Sequence, residues 1–279
     1  MSIKTILVYL PSEKNAAATL GPVLKIASAR NAHVIGLHLT ADLPVYGEFP
    51  AEVSEEVIGR LQKAGNDAAA AAKRAFEETL KSSSVTHEWR GFIASYVMGA
   101  DLIAQQGRSV DLIVCGKPSD EVPDAWSDFA ETAIMRSGRP VLIVPPGTSV
   151  KQIGNHVVIA WNETREAARA VFDSIDLIRD AATVRVVTCI ENEKERAAAE
   201  AYGTPLVATL ARHGIHAIFE VSYATGSTTG EVILGKLVDE GCDLLIMGGY
   251  SRSRFREMIF GGVSRDILRD TWVPTLVSH

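Results

Sequence analysis

Apolar residues fall along this chain in short runs separated by longer, alanine-rich stretches, and the runs recur in the same order twice. Residues 4–10 and 155–161 are apolar openers. Each leads into a helical stretch, 16–30 and 164–180, and then into a second run, 32–40 and 183–191. Residues 110–116 (VDLIVCG) and 242–248 (CDLLIMG) are fully apolar strands entered from an aspartate and left through a glycine. The closers, 139–144 and 273–278, each begin at a proline, Pro140 or Pro274. Runs apolar on both faces, alternating with helical stretches, predict parallel strands covered by helices on two sides.

The pattern therefore predicts β-α-β-α-β-α-β-α-β twice, an α/β chain of two tandem, doubly wound, Rossmann-like parallel five-stranded sheets. The copies are offset by 151 residues at the openers (155 minus 4) and by 132 at the aspartates (243 minus 111). The first copy thus carries an insertion, placed near residues 41–60, where Pro44, Gly47 and Pro50 read as a loop before a long helix over 52–81. Pro145, Pro146 and Gly147 end the fifth run and open a linker. The expected domains are 1–147 and 152–279.

Length and composition fit this plan. The 279 residues are 47% hydrophobic and 22% charged, enough for two buried cores. A net charge of −6 argues against a general nucleic-acid-binding face. No stretch approaches the ~20 apolar residues needed to cross a bilayer, and residues 1–10 read as a strand rather than a secretory leader. Cys115, Cys189 and Cys242 are odd in number and lie in apolar runs, the pattern of buried free thiols in a reducing compartment. A cytoplasmic protein is expected.

Ligands of such sheets bind at the carboxyl ends of the strands, at the switch point. There the second copy reads GGYSRSRFREMIFGGVSR over residues 248–265. This resembles the signature of the universal stress protein family: a glycine, two residues, a small residue, nine residues, a second glycine and a small residue, followed closely by Ser or Thr. The resemblance covers nearly the whole chain in both copies and implies the adenine nucleotide alpha hydrolase-like fold. It also implies an ATP or AMP site, with magnesium possible beside ATP. Gly248, Ser251, Arg252, Gly261, Gly262, Val263 and Ser264 would meet phosphate. Ala160 and Asn162, at the end of the first strand, and Cys189 and Ile190, at the end of the second, would meet the nucleoside. Physically, glycines and a helix start offer amide donors to phosphate, and Arg252, Arg254, Arg256 and Arg265 raise the local potential. The sequence departs from the usual family residues at three places: Ser251 fills the small-residue position where the family usually carries a glycine, Gly262 stands for the usual Ser after the glycine at 261, and Asn162 stands where the family carries an acid.

The first copy lacks the signature. Gly116 is followed by KPSDEVPDAWSDFA, with Asp120, Glu121, Asp124 and Asp128 set to repel phosphate, and its first strand exits through Pro11 and Ser12. One nucleotide site is expected, in the second copy. Other conspicuous residues read as structural. Residues 230–236 mimic a P-loop, but Leu237 stands where a magnesium-holding Ser or Thr belongs, and Thr228 with Glu231 forms a capping box. His213 and His216 mark a helix end and a strand start, and the His87-Glu88-Trp89 run lies on a strand. No catalytic constellation emerges. A stress or signalling module that binds a nucleotide is the leading expectation; a slow ATPase or phosphoryl-transfer enzyme using the same loop, and a nucleotide-free interaction protein, are the alternatives. The two copies are expected to pack as an intramolecular pseudo-dimer, with 140–144 and 274–278 paired antiparallel, and homo-oligomers are possible.

Overall fold

Buried β-branched runs become strands here because both of their faces are covered. Leu112–Gly116 (LIVCG) and Leu244–Gly248 (LLIMG) are buried up to their terminal glycines. The computed structural model describes residues 2–42, 55–117, 129–148, 153–249 and 262–279. In chain order the elements are β1 (Thr5–Tyr9), α1 (Glu13–Arg30), β2 (His33–Ala41), α2 (Glu55–Lys81), β3 (His87–Ala94), α3 (Tyr96–Arg108), β4 (Leu112–Gly116), α4 (Phe129–Arg136) and β5 (Val141–Val144). They continue with β6 (His156–Ala160), α5 (Arg165–Ile178), β7 (Thr183–Ile190), a single 3-10 turn at Glu193–Glu195, α6 (Arg196–Arg212), β8 (Ala217–Tyr223), α7 (Thr229–Asp239), β9 (Leu244–Gly248), α8 (Gly262–Asp270) and β10 (Thr275–Ser278).

The chain divides into two compact units, Ile3–Ser137 and Gly138–His279. In the first, the parallel strand order is β3-β2-β1-β4. In the second it is β5-β10-β9-β6-β7-β8, parallel except for β5. The five parallel strands of the second unit thus stand in the order third, second, first, fourth, fifth of their copy. This is the doubly wound arrangement, with its switch point between β6 and β9. The closing run of the first copy lies in the second unit. β5 pairs antiparallel with β10, Ile143 opposite Thr275, Leu142 opposite Leu276 and Val141 opposite Val277, so the units separate ahead of β5 rather than at the proline-rich linker.

The aspartates that enter β4 and β9 have one job in both copies. Asp111 Oδ2 accepts the amides of Lys4 (2.8 Å) and Thr5 (2.9 Å), and Asp243 Oδ1 those of Gly154 (2.9 Å), Asn155 (2.9 Å) and His156 (3.1 Å). Each carboxylate takes up amides at the start of the neighbouring strand, which otherwise have no ladder partner.

The insertion is only partly loop. α2 has 27 residues and α6, its counterpart, 17, so ten of the nineteen extra residues lengthen a helix that now starts at Glu55. The proposed loop residues Pro44, Gly47 and Pro50 lie outside the described residues.

Candidate functional site

Matching backbone bonds within each unit show which residues correspond at the carboxyl ends of the strands. Leu10 N–H donates to Leu37 O at 2.9 Å, and Trp161 N–H to Val187 O at 2.9 Å. Tyr9 is thus the counterpart of Ala160, Leu10 of Trp161 and His38 of Thr188. At the closing helices Ser137 N–H donates to Ala133 O (3.1 Å) and Thr271 N–H to Ile267 O (2.8 Å), which makes Phe129 the counterpart of Val263 and Ala130 of Ser264.

Ala160 is half-buried at the last paired position of β6, beside Met247 of β9. Two residues later, exposed Asn162 accepts the Thr164 hydroxyl on Oδ1 (2.8 Å), and Thr164 caps α5 by accepting the Ala167 amide (3.2 Å). Oriented in this way, Asn162 keeps its amide Nδ2 donors for other partners. Glu163 between them adopts φ 56°, a left-handed turn that a non-glycine residue adopts at a cost.

On β7, Ile190 O accepts the Ala224 amide on the β8 side (2.8 Å), whereas Val187 O accepts Trp161 on the β6 side. In a parallel ladder successive residues bond to alternate neighbours. The Cys189 amide and carbonyl therefore face the β6 side, beyond Ala160, where β6 has ended. The Thr188 hydroxyl is already engaged, donating to Trp161 O (2.8 Å). Burial pushes the Cys189 thiol up to about 11 against the pull of Lys236.

Gly248 has a requirement the sequence did not disclose. A Cβ there would lie 2.4 Å from Ala167 N and 2.6 Å from Glu166 C, so the glycine lets β9 pass beneath the first turn of α5. Its close approach is to helix backbone. After it, Gly249 donates to Ser278 O (2.9 Å), and His279 Nδ1 bonds Gly249 O (3.1 Å), so Nδ1 carries the hydrogen. Ser251, Arg252, Gly261, Arg254 and Arg256 lie outside the described residues. α8 begins at Gly262, followed by Val263, and Ser264 in its first turn is buried. The described residues thus bring Ala160, Asn162, Cys189, Gly248 and the α8 start to one edge of one sheet; Ile190 lies in the same strand end, its carbonyl spent on β8.

The first copy fills the same edge. Tyr9 stacks on Phe129 with ring centroids 3.8 Å apart and planes 5° from parallel, both buried. His38, buried, puts Nδ1 2.7 Å from Leu10 O, the contact Thr188 makes in the second copy. Sequence reasoning missed this plug because Tyr9 and Phe129 are 120 residues apart and each reads as ordinary core.

The other motifs are structural. Thr228 N–H donates to Glu231 Oε2 (2.7 Å) and Glu231 N–H to Thr228 Oγ1 (3.2 Å), a complete capping box at the start of α7, and Lys236 is paired with Glu220. His213 caps the end of α6, His216 precedes β8, and His87, Glu88 and Trp89 lie on β3. All three cysteines are free. Among the described residues no cluster of three or more His, Cys, Asp or Glu is arranged to hold a metal, and no helix is long and apolar enough to cross a membrane.

Residues 155–279 match the model of the universal stress protein family. No curated protein matches the sequence. Among solved structures, a universal stress protein from Archaeoglobus fulgidus DSM 4304 superposes with a TM-score of 0.71 at 16% identity, covering 98% of this chain and 95% of that one. A putative universal stress protein from Pseudomonas aeruginosa UCBPP-PA14 gives 0.65 at 15% identity, covering 99% and 93%. The cytoplasmic domain of a prokaryotic cation chloride cotransporter gives 0.51 at 13% identity, covering 99% and 95%. At such identities these likenesses are of fold alone, and the third shows that the fold serves proteins of different function. Over residues 155–279 signature, strand order and family model coincide, and this part of the chain matches the universal stress protein family.

Proposed function

We propose that the second copy binds one adenine nucleotide, ATP or AMP, at the carboxyl edge of β6, β7 and β9, and that the first copy binds none. The observation that carries this reading is the contrast between equivalent positions: Tyr9 and Phe129 stack where the second copy has Ala160 and Val263. In this reading the base lies over the end of β6 and pairs with the Cys189 amide and carbonyl, a donor and an acceptor side by side, while Asn162 bonds base or sugar. Phosphate lies against the start of α8, whose orphan amides and dipole favour an anion. Ser251, Arg252, Gly261 and Ser264 supply the remaining phosphate contacts, and magnesium accompanies ATP.

The site in this reading is a binding module that reports its occupancy to partners, as in a stress or signalling protein. The free thiols support a reducing, cytoplasmic setting. The antiparallel β5–β10 pairing supports the expectation that the two copies form an intramolecular pseudo-dimer.

Isothermal titration of ATP and AMP into the wild type and Ala160→Tyr tests the site, because Tyr is what the first copy carries there. Binding of one nucleotide per chain is expected in the wild type and a loss of at least ~100-fold in Ala160→Tyr. Two nucleotides per chain, or full affinity in Ala160→Tyr with a native circular dichroism spectrum, refutes the one-site reading.

A further inference from the structure

Trp161 is nine-tenths buried at the carboxyl edge of β6, and its indole Nε1–H finds no hydrogen-bond partner among the described residues. Buried polar groups in folded proteins are nearly all bonded, so a donor with no partner among the described residues asks for a further acceptor. The residue itself is held firmly. Its amide donates to Val187 O and its carbonyl accepts the Thr188 hydroxyl, so the backbone cannot turn to relieve the indole.

Strand alternation places the Trp161 side chain on the face of Thr188, the adjacent residue of β7. On that face the Thr188 hydroxyl is spent on the Trp161 carbonyl. The first copy shows what the position needs for stability alone. Its counterpart, Leu10, makes the same amide bond and is wholly buried with no polar atom. The second copy therefore keeps, next to the end of β6 at Ala160, a donor that the described residues do not use.

We infer that the Trp161 indole N–H is a ligand-binding donor that takes an acceptor of the bound nucleoside, a ring nitrogen or sugar oxygen. The inference rests on the nucleotide reading above and adds a contact to it. Trp161 directly follows Ala160, over which the Cys189 amide and carbonyl face. A group bonded to those two atoms lies beside Trp161, whereas the phosphates lie towards α8.

Trp161→Phe removes the N–H and keeps an aromatic side chain. Titrated with ATP, adenosine and inorganic tripolyphosphate, the variant should bind ATP and adenosine about ten-fold more weakly than the wild type and tripolyphosphate equally well. Undiminished adenosine affinity in a folded Trp161→Phe would overturn the inference while leaving the nucleotide reading intact. A wild type that binds neither ATP nor adenosine removes both. Should Trp161→Phe fail to fold, the wild type itself decides: of the indole N–H signals of its four tryptophans, that of Trp161 should move downfield in proton NMR on adding adenosine. An unmoved Trp161 signal at saturating adenosine overturns the inference.

Discussion

Two glycines show how the same residue is required at one place and dispensable at another. Gly248 lies under the first turn of α5, and an alanine Cβ would meet backbone nitrogen at 2.4 Å, which no side-chain adjustment relieves. Gly235 stands exposed within α7 with nothing near its missing Cβ. Gly248→Ala should therefore cost about 2 kcal/mol through overpacking, whereas Gly235→Ala should add ~0.5–1 kcal/mol by restricting the unfolded chain. Urea unfolding of the two variants checks the pair, and equal effects would contradict it. The cysteines make a second case. Burial pushes Cys115 up to about 12 and Cys242 to about 11, and Cys189 is likewise raised to about 11. At pH 8 the thiolate fraction of each is then roughly one in a thousand or less, and the thiolate is the reactive form. Ellman's reagent should label native protein slowly and all three thiols at once in urea; rapid native labelling of any one would show that its site opens.

At the scale of elements, what was legible in the sequence was what repeats locally. The runs at 110–116 and 242–248 announce buried strands because nothing polar interrupts them between aspartate and glycine, and the two strands end where those glycines stand. The Thr228 capping box was legible for the same reason: its two bonds join residues three apart. Thr228→Ala should cost about 1 kcal/mol, with the loss confined to the start of α7, readable as faster hydrogen exchange of the Gly230 to Val232 amides. What was illegible depends on pairing across long separations. The Asp111 and Asp243 carboxylates reach strand starts 107 and 89 residues behind them, respectively. The Tyr9–Phe129 stack joins two residues that no local pattern connects, and it is this contact that fills the edge of the first copy. The signature located the switch point, but it was silent about Trp161 and about the close approach of Gly248 to the first turn of α5.

For the whole molecule, the place where the chain divides has a consequence of its own. The composition at 145–152 marks a linker, yet β5, which precedes it, belongs with Gly138–His279 because it covers β10. β10 is otherwise an edge: Leu276 and Val277 are fully buried, and the unpaired amides and carbonyls of such a strand recruit another strand when left open. A fragment of residues 152–279 matches the sequence boundary and retains all five parallel strands of the second copy, but it loses that cover. A fragment of residues 138–279 keeps it. The longer fragment should associate less than the shorter and bind ATP with the affinity of the full chain, since Ala160, Asn162, Cys189 and the α8 start all lie within it. The shorter should dimerise or precipitate through β10. Sedimentation equilibrium separates the cases, and substituting Leu276 by Lys in the shorter fragment, intended to block strand addition, should lower its association if it still folds. A monomeric, soluble 152–279 fragment would show that β10 needs no partner and that β5 belongs to the second unit by proximity alone.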